Sequence, residues 1–408
     1  MIGNKPELVC PAGDWPSLIT AIENGADSVY FGIKEINMRH SAPNFDILEI
    51  KKIMDLLRRK DKKGYLALNV TVMNKELAKV EKILLEAKSA RVDAVILWDM
   101  SVFSLAKKLE LPIHLSTQAS ISNIKALEFF SRLGARRIVL ARECTLSDIN
   151  EMVEYIKKEN IPCEIEAFIH GAMCVSISGR CFLSQYSFGK SANKGECLQP
   201  CRRQFFITDK EKEINYILGE DYILSPKDLC TIDFIGDLIN TGIKAFKIEG
   251  RVRSPEYIKV VVSVYRKAID SFFEGDLSNS LKESLKEQLG TVYNRGFSNG
   301  FYFGQPQDAF SKQLEHNHEK VFLGEVKKFY KKISVAEILI RNESLIKGDS
   351  IIFIGKNTPV CFATAEELQK NHIFVDKAEK GEFIGLKLPF TVKPKDKVFL
   401  WRKKKDQG

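Results

Sequence analysis

Four stretches of the chain share one form: NGADSVYFG (24–32), ARVDAVILW (90–98), LGARRIVLA (133–141) and TGIKAFKIEG (241–250). Each follows a helix-patterned segment, breaks at a glycine or small residue, passes one or two polar positions and ends in a β-rich apolar run. A glycine just past the last helical residue closes a helix because it enters the left-handed region without steric cost. An apolar run without alternation suits a strand buried on both faces. The repeated unit is therefore the helix-to-strand joint of a parallel sheet. ELVCPA (7–12), YLALNV (65–70), IHLSTQA (113–119) and EIEAFIHG (164–171) add four strands, with helical patterns such as WPSLITAIEN between them. Eight strands alternating with helices over about 275 residues predict an α/β chain with a (β/α)8 TIM-like barrel over 1–275. An open doubly wound sheet is the competing arrangement, and no G-x-G-x-x-G follows the first strand to support it.

One joint is overlong. More than fifty residues separate EIEAFIHG from SPKDL, where a βα loop normally has about 2–6. This insertion after strand 7, about 171–224, emerges on the barrel face where active sites form. It carries Cys174, Cys181, Cys197 and Cys201, spaced C-x6-C-x15-C-x3-C, among Gly, Ser, Lys, Asn and Arg. That composition does not bury thiols for packing, whereas Cys10, Cys144, Cys163 and Cys361 sit in or beside apolar sequence and read as core. Nine cysteines is an odd number, and MIGNKPELVCPAG has no export-signal pattern, so a cytoplasmic location is expected and a disulfide framework is not. The four insertion cysteines read as metal ligands. Zinc prefers paired C-x2-C arms, and uneven all-cysteine spacing suits an iron–sulfur cluster. A [4Fe–4S] cluster is favoured modestly, with zinc left open. Cys230, in a helix predicted to start at Ser225–Pro226, is the reserve ligand.

Predicted strand ends bring polar groups to the same face. Asn69, Asp99, Ser116, Thr117, Gln118, Arg142, His170, Lys247, Glu249 and Arg251 lie at or just past them, joined by Arg39 and His40 from NMRHSAPNF. His170, Lys247 and Glu249 are the candidates for acid–base work. Arg39, His40, Asn69, Gln118, Arg142 and Arg251 are candidates for substrate binding, since guanidinium forks grip carboxylates bidentately. GFSNG (296–300) matches G-x-S-x-G, but aromatic, turn-rich flanks replace the strand and helix of a nucleophile elbow. Its aromatics, with Arg295, read as junction packing or a base-stacking platform. HNHE (316–319) lacks a helical ligand register and reads as a polar loop.

Residues 276–319 read as a connecting helix and aromatic linker, and 320–408 as a small C-terminal antiparallel β-barrel, a candidate RNA-binding module. The net charge is +9, with basic clusters at 56–64, 327–332 and 401–405. Each alone is a solvated face; together they suit a polyanion. No apolar run approaches the ~20 residues of a membrane helix.

ELVCPAGDWPSLITAIENGADSVYFG, NMRHSAPNF, EAFIHGAMCVSISGRCFLSQYSFGKSANKGECLQPCRRQF, SPKDLCTIDFI and FKIEGRVRSPEYIKVVVSVYRKAID together resemble the peptidase U32 family, over most of the chain to about residue 300. Glu166 to Ser184 matches the family signature. The resemblance implies iron–sulfur proteins that hydroxylate RNA bases or a quinone precursor without molecular oxygen. The branch most alike forms 5-hydroxyuridine at wobble position 34 of tRNA, with prephenate as hydroxyl source. Cytidine hydroxylation in 23S rRNA is a close competitor, and a peptidase or collagenase is the reading of the family name. The resemblance implies Cys174, Cys181, Cys197 and Cys201 as cluster ligands and a tRNA or rRNA partner. A homo-oligomer, or a hetero-oligomer with a paralogue, is left open.

Overall fold

The computed structural model describes residues 5–34, 36–39, 42–203, 205–209, 214–218, 225–304 and 316–404. Eight strands form the first sheet's core: β1 (Glu7–Ala12), β2 (Ser28–Gly32), β3 (Lys63–Ala67), β4 (Ala94–Leu97), β5 (Ile113–Leu115), β6 (Ala135–Val139), β7 (Glu164–Gly171) and β8 (Ala245–Ile248). Each pairs in parallel with the next, and β8 pairs with both β7 and β1, which closes the barrel. Alternate residues divide as the pleat requires. Val9, Tyr30, Tyr65, Ala67, Ala94, Ile96 and Ala245 pack inside the barrel. Leu8, Cys10, Val29, Phe31, Leu66 and Val95 pack outward in the core shared with the helices. Both faces are apolar, which is why the strands read as unbroken hydrophobic runs.

The helices begin and end where side-chain chemistry dictates. Asp14 accepts from the Ser17 N–H at the start of Trp15–Glu23, and Thr145 forms a capping box with Asp148 at the start of Leu146–Lys158. Gly134, at φ +115°, ends Ile124–Leu133 and hands the chain to β6. The predicted last barrel helix is Pro255–Glu274, closed by Gly275.

The helix expected from Ser225–Pro226 is absent at that point. Asp228–Cys230 is a strand, antiparallel to the end of β7, with Leu229 opposite Gly171 and Cys230 opposite His170. Phe297–Ser298 pairs with its other edge. The helix runs only over Ile235–Asn240. Proline disfavours the helical region for the residue before it, and the overhanging end of β7 offers backbone groups that need partners.

The insertion lies across the barrel mouth. It carries a short helix, Leu183–Phe188, and a two-stranded ribbon, Phe205–Asp209 with Ile214–Leu218. Lys194 fastens it to the loop after β3: its ammonium donates to Thr71 O at 2.6 Å and pairs with Glu76. Gly195 meets the loop after β2 so closely that a Cβ there would lie 2.0 Å from Asn37 O.

The C-terminal region forms an eight-stranded antiparallel sheet around its own core, including Leu323, Ile338, Ile351 and Phe353. Its outermost strands in hydrogen-bonding order, Cys361–Thr364 and Ile373–Val375, do not pair with each other among the described residues. The sheet docks on the first domain through Val360 N–H to Thr20 Oγ1 (3.1 Å) and Lys320 to Glu256 (2.7 Å). No described helix is long and apolar enough to cross a membrane.

Candidate active site at the barrel mouth

The strand ends and the insertion enclose a cavity of about 500 Å³. Its floor is Tyr30, Ala67, Ile96, Phe168 and Lys247; Asn69, Ser116, Thr117, Gln118 and Arg142 form a wall; the insertion adds Cys174, Cys181, Cys197 and Cys201. Among the described residues seven cations line it, Arg39, Arg142, Arg202, Lys247, Arg251, Arg253 and Arg295, against one lining carboxylate, Glu249. The surplus of positive charge makes this an anion site.

Glu249 is gripped by Arg39, with Nη2 at 2.9 Å and Nε at 3.1 Å, and lies 3.9 Å from Arg142. Burial alone would raise its carboxyl; Arg39, Arg142 and Arg251 outweigh burial and hold it below the usual range. Lys247 Nζ stands 2.6 Å from Glu166 Oε1, and burial pulls its ammonium down. Glu166 is held from behind by Arg137 at 3.3 Å. Arg253 and Arg295 share Asp228, each at 3.4 Å.

Arg251 differs. It is 4% exposed, donates to Asn37 Oδ1 at 3.2 Å and lies 5.7 Å from the Tyr30 ring centre. Among the described residues no carboxylate stands in ion-pairing distance of it. Burial draws its guanidinium down to about 10. Gly32 makes room for it: a Cβ there would lie 2.7 Å from Nη1.

The other predicted residues divide. Asn69 and Gln118 bond to each other at 3.3 Å, and Ser116 bonds to Gln118, as neutral polar groups on the wall. Asp99 caps Met100–Lys108 through the Ser101 N–H and ties down Val72 N–H, a structural task. His170 does not line the cavity. It is buried on the outer side of β7 among Tyr257, Tyr265 and Phe297, and burial and Arg253 push it down to about 3. His40 lies outside the described residues. Ser298 accepts from Gly300 N–H and bonds to no histidine among the described residues, so GFSNG is not a nucleophile elbow. His316 packs on Tyr293, and His318 stacks on Trp401.

Four groups escaped the sequence reading: Glu166, Arg137, Arg202 and Arg253. Charges inside the buried runs EIEAFIHG and LGARRIVLA were the available signal for the first two, and the alternation of RVR (251–253) for the last. Arg202 staples the insertion, donating to Met173 O (2.7 Å), Ser225 Oγ (2.7 Å) and Pro226 O (2.9 Å).

The four insertion cysteines share this one cavity. Burial raises the Cys201 thiol, Arg202 opposes it, and Cys174, Cys197 and Cys181 add to the rise, so all four are in electrostatic reach. Cys174 is lowered: burial opposes, but Ser176, Arg142 and Arg39 outweigh it. Leu183 N–H and Gln199 N–H point at the sulfurs of Cys181 and Cys197, at 3.3 and 3.4 Å. Thiols with cations and N–H donors aimed at them are what a thiolate-bound metal group needs, and in that chemistry the donor set fits. The arrangement is open: among the described residues no three His, Cys, Asp or Glu side chains are placed to hold a metal ion as they stand. Cys230 does not line the cavity; it is buried beneath Tyr265, whose hydroxyl donates to its sulfur at 3.8 Å, and burial raises its thiol to about 11.

The model of peptidase family U32 matches residues 13–312. The chain belongs to peptidase family U32. Among its U32 relatives, a protein named as an uncharacterized protease of Methanocaldococcus jannaschii is 43% identical over 401 residues, covering 97% of this chain and 98% of its own. A Porphyromonas gingivalis protein named collagenase is 37% identical over 412 residues, covering 99% of each. A Bacillus subtilis protein named tRNA hydroxylation protein P1 is 35% identical over 365 residues, covering 87% of this U32 chain and 85% of its own.

Proposed function

We propose that the protein is an RNA-modifying enzyme that hydroxylates a pyrimidine: uridine at wobble position 34 of tRNA, to 5-hydroxyuridine, with prephenate as hydroxyl source. The observation that carries this reading is the pairing of an anion cavity, with Arg251 buried and free of a carboxylate among the described residues, and four thiols on its wall. The relatives named for tRNA hydroxylation support the substrate. Arg251, with Arg39 and Arg142, holds the carboxylates of the small co-substrate. Cys174, Cys181, Cys197 and Cys201 hold a [4Fe–4S] cluster. Bound there, the cluster supplies electron transfer that side chains cannot. Lys247, buried against Glu166, holds a proton at the floor. An unpaired loop base can be splayed into such a cavity, as a base in a duplex cannot. The basic clusters and the C-terminal sheet hold the backbone.

Deleting the gene and analysing tRNA by mass spectrometry tests the reading: 5-hydroxyuridine at position 34 should disappear. If it persists and 5-hydroxycytidine in 23S rRNA is lost, the RNA target is ribosomal. The names of the protease-like relatives keep a peptidase in view, but Ser298, the serine of the one G-x-S-x-G match, bonds to no histidine among the described residues. Proteolysis by pure protein, abolished by Ser298→Ala, would replace this reading.

A further inference from the structure

The insertion does more than carry thiols. Six of the twenty exposed large apolar side chains among the described residues lie between Val175 and Leu198. Soluble surfaces scatter such residues singly, and a cluster marks a surface that another molecule covers. Three are aromatic and sit on or beside the helix Leu183–Phe188: Phe182 (59% exposed), Tyr186 (87%) and Phe188 (38%). Phe182 and Tyr186, four residues apart, stand side by side with ring centres 6.2 Å apart. The Arg203 guanidinium covers one face of Phe188 at 4.4 Å.

The charge around these rings is one-sided. From Ala172 to Arg203 the sequence has five cations and one carboxylate, Glu196; Lys194 is engaged by Glu76 and Arg202 by its backbone staples, which leaves Arg180 and Arg203 without a carboxylate partner among the described residues. Glu196 is taken up by Lys190, at 3.6 Å. The partner is therefore anionic and presents flat apolar faces. An acidic protein offers the charge but not a repeating set of planar rings. A single-stranded RNA loop offers both, with phosphates for the cations and unpaired bases for the aromatics.

We infer that this face of the insertion, centred on Phe182 and Tyr186, is a stacking platform for unpaired RNA bases flanking the one that enters the cavity. The inference rests on the RNA reading above and adds to it the surface that grips the loop. The platform and the thiols lie on the same short excursion: Cys181 precedes Phe182 directly.

The test uses the full-length protein and two synthetic RNAs, a hairpin with a seven-nucleotide uridine-containing loop and a blunt duplex of the same stem. Tyr186 is exposed and Tyr186→Ala should fold normally. It is expected to weaken hairpin binding about tenfold, the scale of one lost stacked base, and to leave duplex binding unchanged; Tyr186→Phe should restore wild-type affinity. Phe182→Ala should behave as Tyr186→Ala. Hairpin affinity unchanged in both alanine variants, with wild type still preferring hairpin to duplex, overturns the platform and leaves the proposed function standing. Wild-type protein that binds neither RNA overturns both. Unchanged hairpin affinity, combined with loss of turnover when an acidic redox protein supplies electrons but not when dithionite does, assigns the surface to a protein partner and also overturns the platform.

Discussion

Lys247 Nζ, at the cavity floor, lies 2.6 Å from Glu166 Oε1, which does not itself line the cavity, and their side chains are 5% and 0% exposed. Burial disfavours both charges, so each depends on the other. Glu166→Gln leaves an ammonium and the Arg137 guanidinium with less compensation in a dry interior. The variant should lose about 3–5 kcal/mol, the usual cost of orphaning a buried charge. Lys247→Met together with Glu166→Gln should be less destabilising than Glu166→Gln alone, because the orphan is removed. Urea unfolding of the three variants checks both expectations.

His170 sets an acid limit. Burial holds its folded-state pKa at about 3, against an ordinary value of 6.5. Between those values the unfolded chain binds a proton that the folded chain refuses. Its contribution to stability is therefore complete above about pH 6.5 and is lost as pH falls toward 3. His114, pushed down by burial and by Arg137, acts in the same direction. Stability should decline from pH 6.5 to 5, before the carboxylates titrate, at no more than about 1.4 kcal/mol per pH unit per histidine. His170→Asn should flatten that slope, as read from urea midpoints across the range.

His170 also marks what the sequence could and could not reveal. Its place at the end of a barrel strand was legible, because EIEAFIHG has the buried pattern of β7. Its facing was not. Lys247 pairs with Phe168 and Ile248 with His170, so the register slips by one residue. That bulge turns His170 away from the cavity that Phe168 lines. The eight strands and their order followed from local apolar runs and breaks, which are properties of neighbours in sequence. The Asp228–Cys230 strand did not, because its cause is the bare edge of β7, more than fifty residues earlier. The four thiols of the insertion were visible by composition; the ring of arginines around them depends on residues more than 200 positions apart, such as Arg39 and Glu249.

The cysteines separate by what their removal should do. Cys181 lines the cavity and is half-exposed, whereas Cys230 is 2% exposed under Tyr265. Cys181→Ala should leave the unfolding midpoint within about 0.5 kcal/mol of wild type and abolish iron binding on anaerobic reconstitution. Cys230→Ala should do the opposite, keeping the iron content while costing about 1–2 kcal/mol for a small buried void. Iron and acid-labile sulfide assays, read beside urea melts, distinguish the two. Loss of iron in Cys230→Ala would move the reserve ligand into the set.

Arg251 links the cavity's function to a cost in stability. A buried guanidinium with no carboxylate beside it among the described residues burdens the ligand-free fold. Arg251→Met keeps most of the apolar stem, and Asn37 Oδ1 retains the Arg39 N–H at 2.8 Å, so no acceptor is orphaned. The ligand-free variant should therefore unfold at a higher temperature than wild type. Prephenate should reverse the order. At about 100 times its dissociation constant it should stabilise the wild-type protein by about 2.7 kcal/mol, and the variant, lacking the buried charge proposed to grip the carboxylate, should show almost none of that shift. Thermal melts of both proteins with and without prephenate check the pair of expectations. A variant that melts lower without ligand, yet still responds to prephenate, would mean that Arg251 is structural and that the carboxylate is held by Arg39 and Arg142.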